Sequence, residues 1–259
     1  MRRFLLGSVL ACLCAIAVAA SAQLLNTHAG LGMMGGGGGG GAIAFNAAAD
    51  LGNVNPGTSL TQIYTVGSGT NRLLIVNVIG DVLSGTDDCS GGGNGVTYNG
   101  TAMTLRQKNT TLGNSDNRFL YLFELLAPSS GSNNVVVTCG SSHFIAAEAA
   151  DYSGVVADDA VGQASTSSSA TSLTIPIATV ATGSWVVATI VADNALSTSY
   201  QSCCGSTVAM TQRVIDSAFH VFGILDSAGT VSPGSQSVIL QLDTGPSAGY
   251  LGIAASYQP

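Results

Sequence analysis

Cysteine has the widest chemical range of any residue type in this chain. Cys89, Cys139, Cys203 and Cys204 lie beyond its apolar N-terminal stretch. In an exported protein an even set of thiols points to disulfides, and four of them allow several connectivities. Adjacent cysteines are hard to join, because a trans peptide holds their Cα atoms closer than a relaxed bridge prefers. A bridge from Cys89 to the Cys203–Cys204 pair and a bridge from Cys89 to Cys139 are equally open. The thiols could instead bind metal, but their spacing matches no zinc motif. Oxygen donors cluster as well: Asp81, Asp87, Asp88 and Asn94 lie in or beside one glycine-rich loop and offer a Ca²⁺ site. The order of an EF-hand is absent, and Asp and Asn also gather in loops simply because they favour turns.

Nucleophilic chemistry is thinly provided. Gly245-Pro246-Ser247-Ala248-Gly249 has the string of a hydrolase elbow, which needs a strand before the serine and a helix after it. Here Tyr250 to Tyr257 reads as a strand, and His143 and His220, the candidate bases, fall at or within strands. Glu124 and Glu148 are the glutamates available for a glycosidase pair, and the ordinary reading of each is an outward-facing strand residue. No catalytic residue is therefore expected. A binding role is served better: Tyr98, Asn99, Trp185 and Tyr200 are candidate ligand-binding residues if they share an open groove near the Asp87 loop. For Trp185 core packing is the competing role.

The elements that would position these groups are announced by a repetition. Residues 59–152 and 172–257 carry matching phrases in the same order. Ser59-Leu60-Thr61 answers Ser172-Leu173-Thr174, and Ala102-Met103-Thr104 answers Ala209-Met210-Thr211. Gly131-Ser132 leading to Val135-Val136-Val137 returns as Gly234-Ser235 leading to Val238-Ile239-Leu240. Ala149-Ala150-Asp151-Tyr152 closes one copy and Ala254-Ala255-Ser256-Tyr257 the other. The offset shrinks along the chain, so length differences fall in loops between strands.

Alternating β-prone runs predict strands at 60–66, 72–82, 102–107, 118–126, 134–139 and 143–152, then at 172–180, 184–192, 207–214, 218–225, 236–242 and 249–257. Asn99-Gly100 between β-prone runs is the preferred two-residue hairpin turn, since both positions need positive φ. Leu73 to Val78 and Trp185 to Val191 are apolar on both faces, as in central strands covered on both sides. The expected fold is an all-β, double-layered antiparallel β-sandwich, jelly-roll-like, with an internal pseudo-duplication (halves 58–157 and 170–259). Whether the halves share one sandwich or build two is open.

Residues 1–22 read as a signal peptide, with Arg2 and Arg3, an apolar core, and Ala20-Ser21-Ala22 before Gln23. Residues 23–57, which include a heptaglycine run at Gly35 to Gly41, read as a flexible leader. Charged residues make up only 8% of the chain, and 14 acidic residues face 7 basic ones for a net charge of −7. An acidic surface this poor in Lys and Arg disfavours nucleic acid and anionic lipid as partners. No apolar run after the signal is long enough to span a membrane.

Asn71-Arg72-Leu73-Leu74-Ile75-Val76, the hairpin Val96 to Thr104, Ala127-Pro128 with Gly131 leading to Val135-Val136-Val137, and Tyr152-Ser153-Gly154-Val155 together resemble a loose group of bacterial and phage-associated secreted proteins. That group pairs a TYGGxxLT-like hairpin with a later YSGV strand end. The likeness covers roughly residues 58–258; Asn99 in place of a hairpin glycine, and the cysteines, depart from it. It implies a jelly-roll-like sandwich on a cell surface or in a phage tail or adhesin, and no catalytic residues. The expectation is an exported, non-enzymatic structural or adhesive protein, secreted or at a bacterial surface or periplasm, with a surface glycan or protein as partner. A carbohydrate-binding module assisted by calcium is the alternative, and a secreted hydrolase a remote one.

Overall fold

The computed structural model describes residues 41–81, 89–110, 118–166, 170–179, 181–192, 199–217, 220–243 and 249–259. The signal peptide, nearly all of the heptaglycine run, Asp87, Asp88 and Ser247 lie outside them. Every regular element described is a β-strand. In the first half these are β1 (Ala44–Val66), β2 (Leu73–Asp81), β3 (Gly95–Tyr98), β4 (Thr101–Ala102), β5 (Thr104–Asn109), β6 (Arg118–Leu126) and β7 (Gly131–Ser153). The second half contains β8 (Ala157–Thr166), β9 (Leu173–Thr179), β10 (Trp185–Ala192), β11 (Tyr200–Ser202), β12 (Thr211–Asp216), β13 (Val221–Asp226), β14 (Gly234–Leu242) and β15 (Tyr250–Gln258).

All pairings between these strands are antiparallel, and the sheets pack face to face as a β-sandwich. In the first half one sheet folds over on itself. The later part of β7 pairs with β2 and the start of β1, and its earlier part pairs with β3 and the end of β1. This gives a large layer ordered β5-β6-β2-β7-β1 and a small layer ordered β4-β3-β7-β1. The second half has a large sheet ordered β12-β13-β10-β15-β8 and a small sheet ordered β11-β14-β9. Apart from β4, which has no counterpart, its hydrogen-bonding order follows that of the first half, with β8 and β9 taking the places of the two parts of β1.

Burial shows how the layers stack. Strand β9 alternates strictly between buried and exposed residues, because one face packs inward and the other meets solvent. Strands β2, β10, β13 and β15 are buried along nearly their whole length. Each large sheet is covered on both faces, by its own small layer and by the large sheet of the other half. Three apolar layers result. Leu74, Val76, Tyr98, Phe123 and Val137 belong to the first. Leu73, Ile75, Leu122, Tyr152, Trp185, Val187, Ile253 and Tyr257 belong to the middle one. Leu173, Ile175, Val186, Ile190, Val238 and Leu240 belong to the third. Two sandwiches therefore sit back to back, with a third core between them.

Three segments differ from the sequence reading. Residues 44–57, a flexible leader by sequence, form the first part of β1, because β7 pairs with most of them across three register shifts. Residues 158–166, which the sequence places between the halves, belong with Ala157 to the edge strand β8, which pairs with β15. A Cβ at Gly162 would lie 1.9 Å from the Pro176 carbonyl oxygen, so only glycine lets β8 pass this close to β9. The two strands expected at 134–139 and 143–152 are one continuous strand, β7. The Asn99-Gly100 turn forms as expected, with φ of 49° and 75°.

Two charged ties close the middle layer at opposite corners. β5 and β12 each carry a register shift beside β6 and β13, and Arg106 and Arg213 are the residues at these irregularities. A bulge re-aims its side chain, here toward the other sandwich. Arg213 makes a bidentate pair with Asp226, at 2.7 and 2.8 Å, and its guanidinium sits 4.2 Å above the ring of Phe45 from β1. Tyr152 of the first half is fully buried near the same Asp226; burial first, and then the Asp226 charge, hold its hydroxyl well above the usual tyrosine range, and that hydroxyl has no hydrogen-bond partner. Arg106 pairs with Asp158 of β8 at 2.6 Å and lies 3.8 Å from Glu124, which accepts a 2.9 Å bond from Tyr257 of the second half. Each corner thus sets an arginine and an acid of one half beside a tyrosine of the other.

Asp226 is fully buried. Removing one partner of such a pair strands the other charge in a low-dielectric site. Asp226→Ala is expected to lower unfolding free energy by about 3–5 kcal/mol, measured by denaturant titration.

Candidate functional site

The residues singled out for ligand binding do not meet in a groove. Tyr98 is in the first apolar layer, where its hydroxyl donates to the Gly131 carbonyl at 2.7 Å. Trp185 lies in the middle layer, edge-on to Tyr152 at 6.3 Å. Tyr200 is in the third layer, where its hydroxyl donates to the Val221 carbonyl. All three are core residues, because each ring has an apolar layer to fill, and the two tyrosine hydroxyls have backbone acceptors. Asn99 alone is exposed; its left-handed backbone serves the hairpin turn, and its side-chain amide donates to Ser129 Oγ at 3.2 Å.

Of the proposed calcium ligands, Asp81 and Asn94 are described. Asn94 closes a tight turn, its backbone N–H donating to the Gly91 carbonyl at 2.9 Å. Asp81, at the end of β2, lies 3.4 Å from His220 Nε2. The bond from His220, and to a lesser degree the Arg118 charge, hold its carboxyl below the usual range against the opposing effect of burial. Asp81 thus already has His220 beside it and the Arg118 charge near it, which weakens its case as a metal ligand.

A groove of about 320 Å³ opens beside Asn94, rimmed by Ser90 to Gly95 and floored by Met103, Leu105 and Phe123. The second half has a groove of about 290 Å³ bordered by Thr207 to Ala209 and Ser227 to Ser232. Both are at the low end of the size range of small-molecule sites. Neither is lined by a charged residue or a histidine, so they can offer hydroxyls, amides and backbone groups but no general acid or base.

The cysteines resolve into two pairs. Cys89 is bonded to Cys139, with Cα atoms 4.1 Å apart. A bridge from Cys89 to the Cys203–Cys204 pair is not formed. Cys203 and Cys204 instead have their sulfurs joined to each other, although their peptide spacing argued against it. The left-handed φ of 60° at Cys204, followed by Gly205 at 95°, turns the chain so that the neighbouring side chains face one another. His143 belongs with the first pair, its Nε2 3.5 Å from Cys89 Sγ. Cys89, Cys139 and His143 form the only group of three or more potential metal-ligating His, Cys, Asp or Glu side chains among the described residues.

Glu124 and Glu148, read from sequence as outward-facing acids, both point into the middle layer. Glu148 is fully buried on β7 opposite Asn77 of β2, whose amide donates to Oε2 at 3.3 Å. Burial raises the Glu148 carboxyl well above the usual range. The Asn77 bond opposes this, and the charges of Asp50 and Asp216 add to it. Glu148 Oε1 and Asn77 Oδ1 have no hydrogen-bond partner. The sequence held little hint of this polar pocket, since Asn77 and Glu148 sit in runs that look wholly apolar.

A carboxyl whose folded-state pKa lies above its unfolded value binds more protons folded than unfolded between the two values, so stability falls as pH rises through that window. Glu148→Gln removes the effect. The variant is expected to be more stable than the parent at pH 8, and the gap should shrink on acidification toward the unfolded glutamate pKa. Thermal unfolding across pH measures it.

No helix among the described residues is long and apolar enough to cross a membrane. No protein-family model, curated protein or solved structure matches the chain.

Proposed function

We propose that this chain is an exported, non-enzymatic structural or adhesive protein, assembled from two copies of one sandwich unit fused back to back. The observation that carries this reading is where its few charges lie. Arg106, Glu124, Asp158, Arg213 and Asp226 join the two halves, and Asp151 is buried against Tyr64. Among the described residues, Asp50, Lys108 and Asp243 are the exposed charged side chains. The outward faces of the two small layers carry instead Thr61, Ile63, Thr65 and Asn134 at one end and Thr174, Pro176, Ala178 and Ser235 at the other. Broad neutral faces of hydroxyls and small apolar groups suit surface contact and lack the titratable pairs that catalysis needs.

Export draws support from the N-terminal pattern of residues 1–22 and from the Cys89–Cys139 bridge, a bond that persists in oxidising compartments. The matched pairing order of the two halves supports duplication. The resemblance to bacterial and phage-associated surface sandwiches agrees with both.

A carbohydrate-binding role is the second reading, favoured by the groove beside Asn94 with its polar rim and apolar floor. A glycan array in calcium and in chelator, run beside chromogenic ester, glycoside and peptide substrates, separates the readings. The structural reading expects no turnover and no saturable, glycan-selective binding. Chelator-sensitive binding to one glycan class would replace it with the second reading, and turnover abolished by Ser247→Ala would replace it with a hydrolase.

A further inference from the structure

The two sulfurs of the first disulfide and one imidazole nitrogen all lie within 4.8 Å of one another, and the three residues are buried. Cys139 and His143 come from the same strand, β7, and Cys89 from the segment before β3. Fifty residues separate Cys89 from Cys139, so no linear zinc motif could announce the set. In space the donors are two thiolate sulfurs and an imidazole, a set suited to Zn²⁺.

Gly80 supplies a second observation. It ends the covered part of β2 directly over this cluster. A Cβ there would stand 3.0 Å from His143 Nε2 and 3.5 Å from Cys89 Sγ. Absence of a side chain lets His143 Nε2 and Cys89 Sγ pack together against the β2 backbone, and any side chain at this position would crowd both ligand atoms.

We propose that Cys89, Cys139 and His143 form a Zn²⁺ site that is available only when the Cys89–Cys139 disulfide is reduced. A dithiol reductant breaks the S–S bond and is itself oxidised to a disulfide, delivering two electrons and two protons to give two thiols. Zn²⁺ then displaces both thiol protons to solvent and takes His143 Nε2 as third ligand. The fourth position is left to water. Tetrahedral Zn–S bonds of about 2.3 Å set the sulfurs roughly 3.7 Å apart. That separation fits within the present span of the cluster, so closing the site needs side-chain motion and no change of strand register. The disulfide and the metal exclude each other: a small-molecule disulfide that takes two electrons from the thiolates, and leaves as two thiols with protons from solvent, re-forms the Cys89–Cys139 bond and expels the ion. The site does not depend on the surface role proposed above and would hold for a chain of any function.

Zinc itself is the probe. Full-length protein is treated with a phosphine reductant, freed of it, and titrated with Zn²⁺ against a competing chromophoric chelator. Co²⁺ serves as a spectroscopic substitute. Protein carrying Cys12→Ser, Cys14→Ser, Cys203→Ser and Cys204→Ser is run in parallel to remove the other four thiols. One equivalent of Zn²⁺ per chain is expected in both reduced proteins and none in the oxidised ones, with a thiolate-to-cobalt charge-transfer band. Cys89→Ser and His143→Gln are each expected to weaken uptake at least a hundredfold. Gly80→Val, which leaves all three ligands in place, is expected to weaken it at least tenfold while the oxidised protein still forms the bridge. Equal uptake by the His143→Gln protein overturns the proposal, as does reduced protein that keeps its near-ultraviolet circular dichroism yet binds no metal. Loss of that signal on reduction without recovery on adding Zn²⁺ overturns it as well.

Discussion

The middle apolar layer is the constraint from which the rest of this structure follows. Each large sheet must be hydrophobic on both faces, because one face closes its own sandwich and the other meets the opposite half. That requirement explains why β2, β10, β13 and β15 are apolar at nearly every position, while β9 at the outside alternates. Apolar burial alone is non-directional and would tolerate a slide of one half over the other. The Arg213–Asp226 pair seated on Phe45 and the Arg106–Glu124–Tyr257 tie supply direction, since their geometry is met in one register only.

The two ties correspond in position but not in chemistry. Arg213 rests on the ring of Phe45, where the other corner pairs Arg106 with Asp158. A cation over an aromatic face and a cation against a carboxylate perform the same positioning task with different exposure to solvent: Asp158 remains partly open, while Asp226 is sealed. Trp185, facing Tyr152 in the middle layer, occupies the place in β10 that Leu73 occupies in β2.

Much of this was legible in the sequence. The matching phrases mark strands that pair in the same order in both halves, and Asn99-Gly100 marks a real turn. What escaped notice depends on contacts between distant residues. The segment Ala157–Thr166 is acidic and small at its start and looks like a linker; it becomes a strand because β15 lacks a neighbour and Gly162 admits a close crossing. Tyr98 and Tyr200 stand near turn residues and look available to a ligand. Their burial follows from layer thickness, which no local pattern reports. Glu148 violates the apolar pattern of the later part of β7 without leaving the core. The grouping of His143 with Cys89 and Cys139 arises only because β7 runs unbroken past the end of β2.

The long pairing of β1 with β7, shifted in register at four places, also has a mechanical meaning. Their ladder extends from Ala44 opposite Ser153 to Val66 opposite Gly131, binding the N-terminal strand along both layers of the first sandwich. Tension directed along β1 from its start loads these hydrogen bonds together, in shear, whereas a sideways pull would open them one after another like a zipper. A chain tethered through residues preceding Ala44 and drawn along that axis therefore meets its strongest resistance at the first strand it would have to lose.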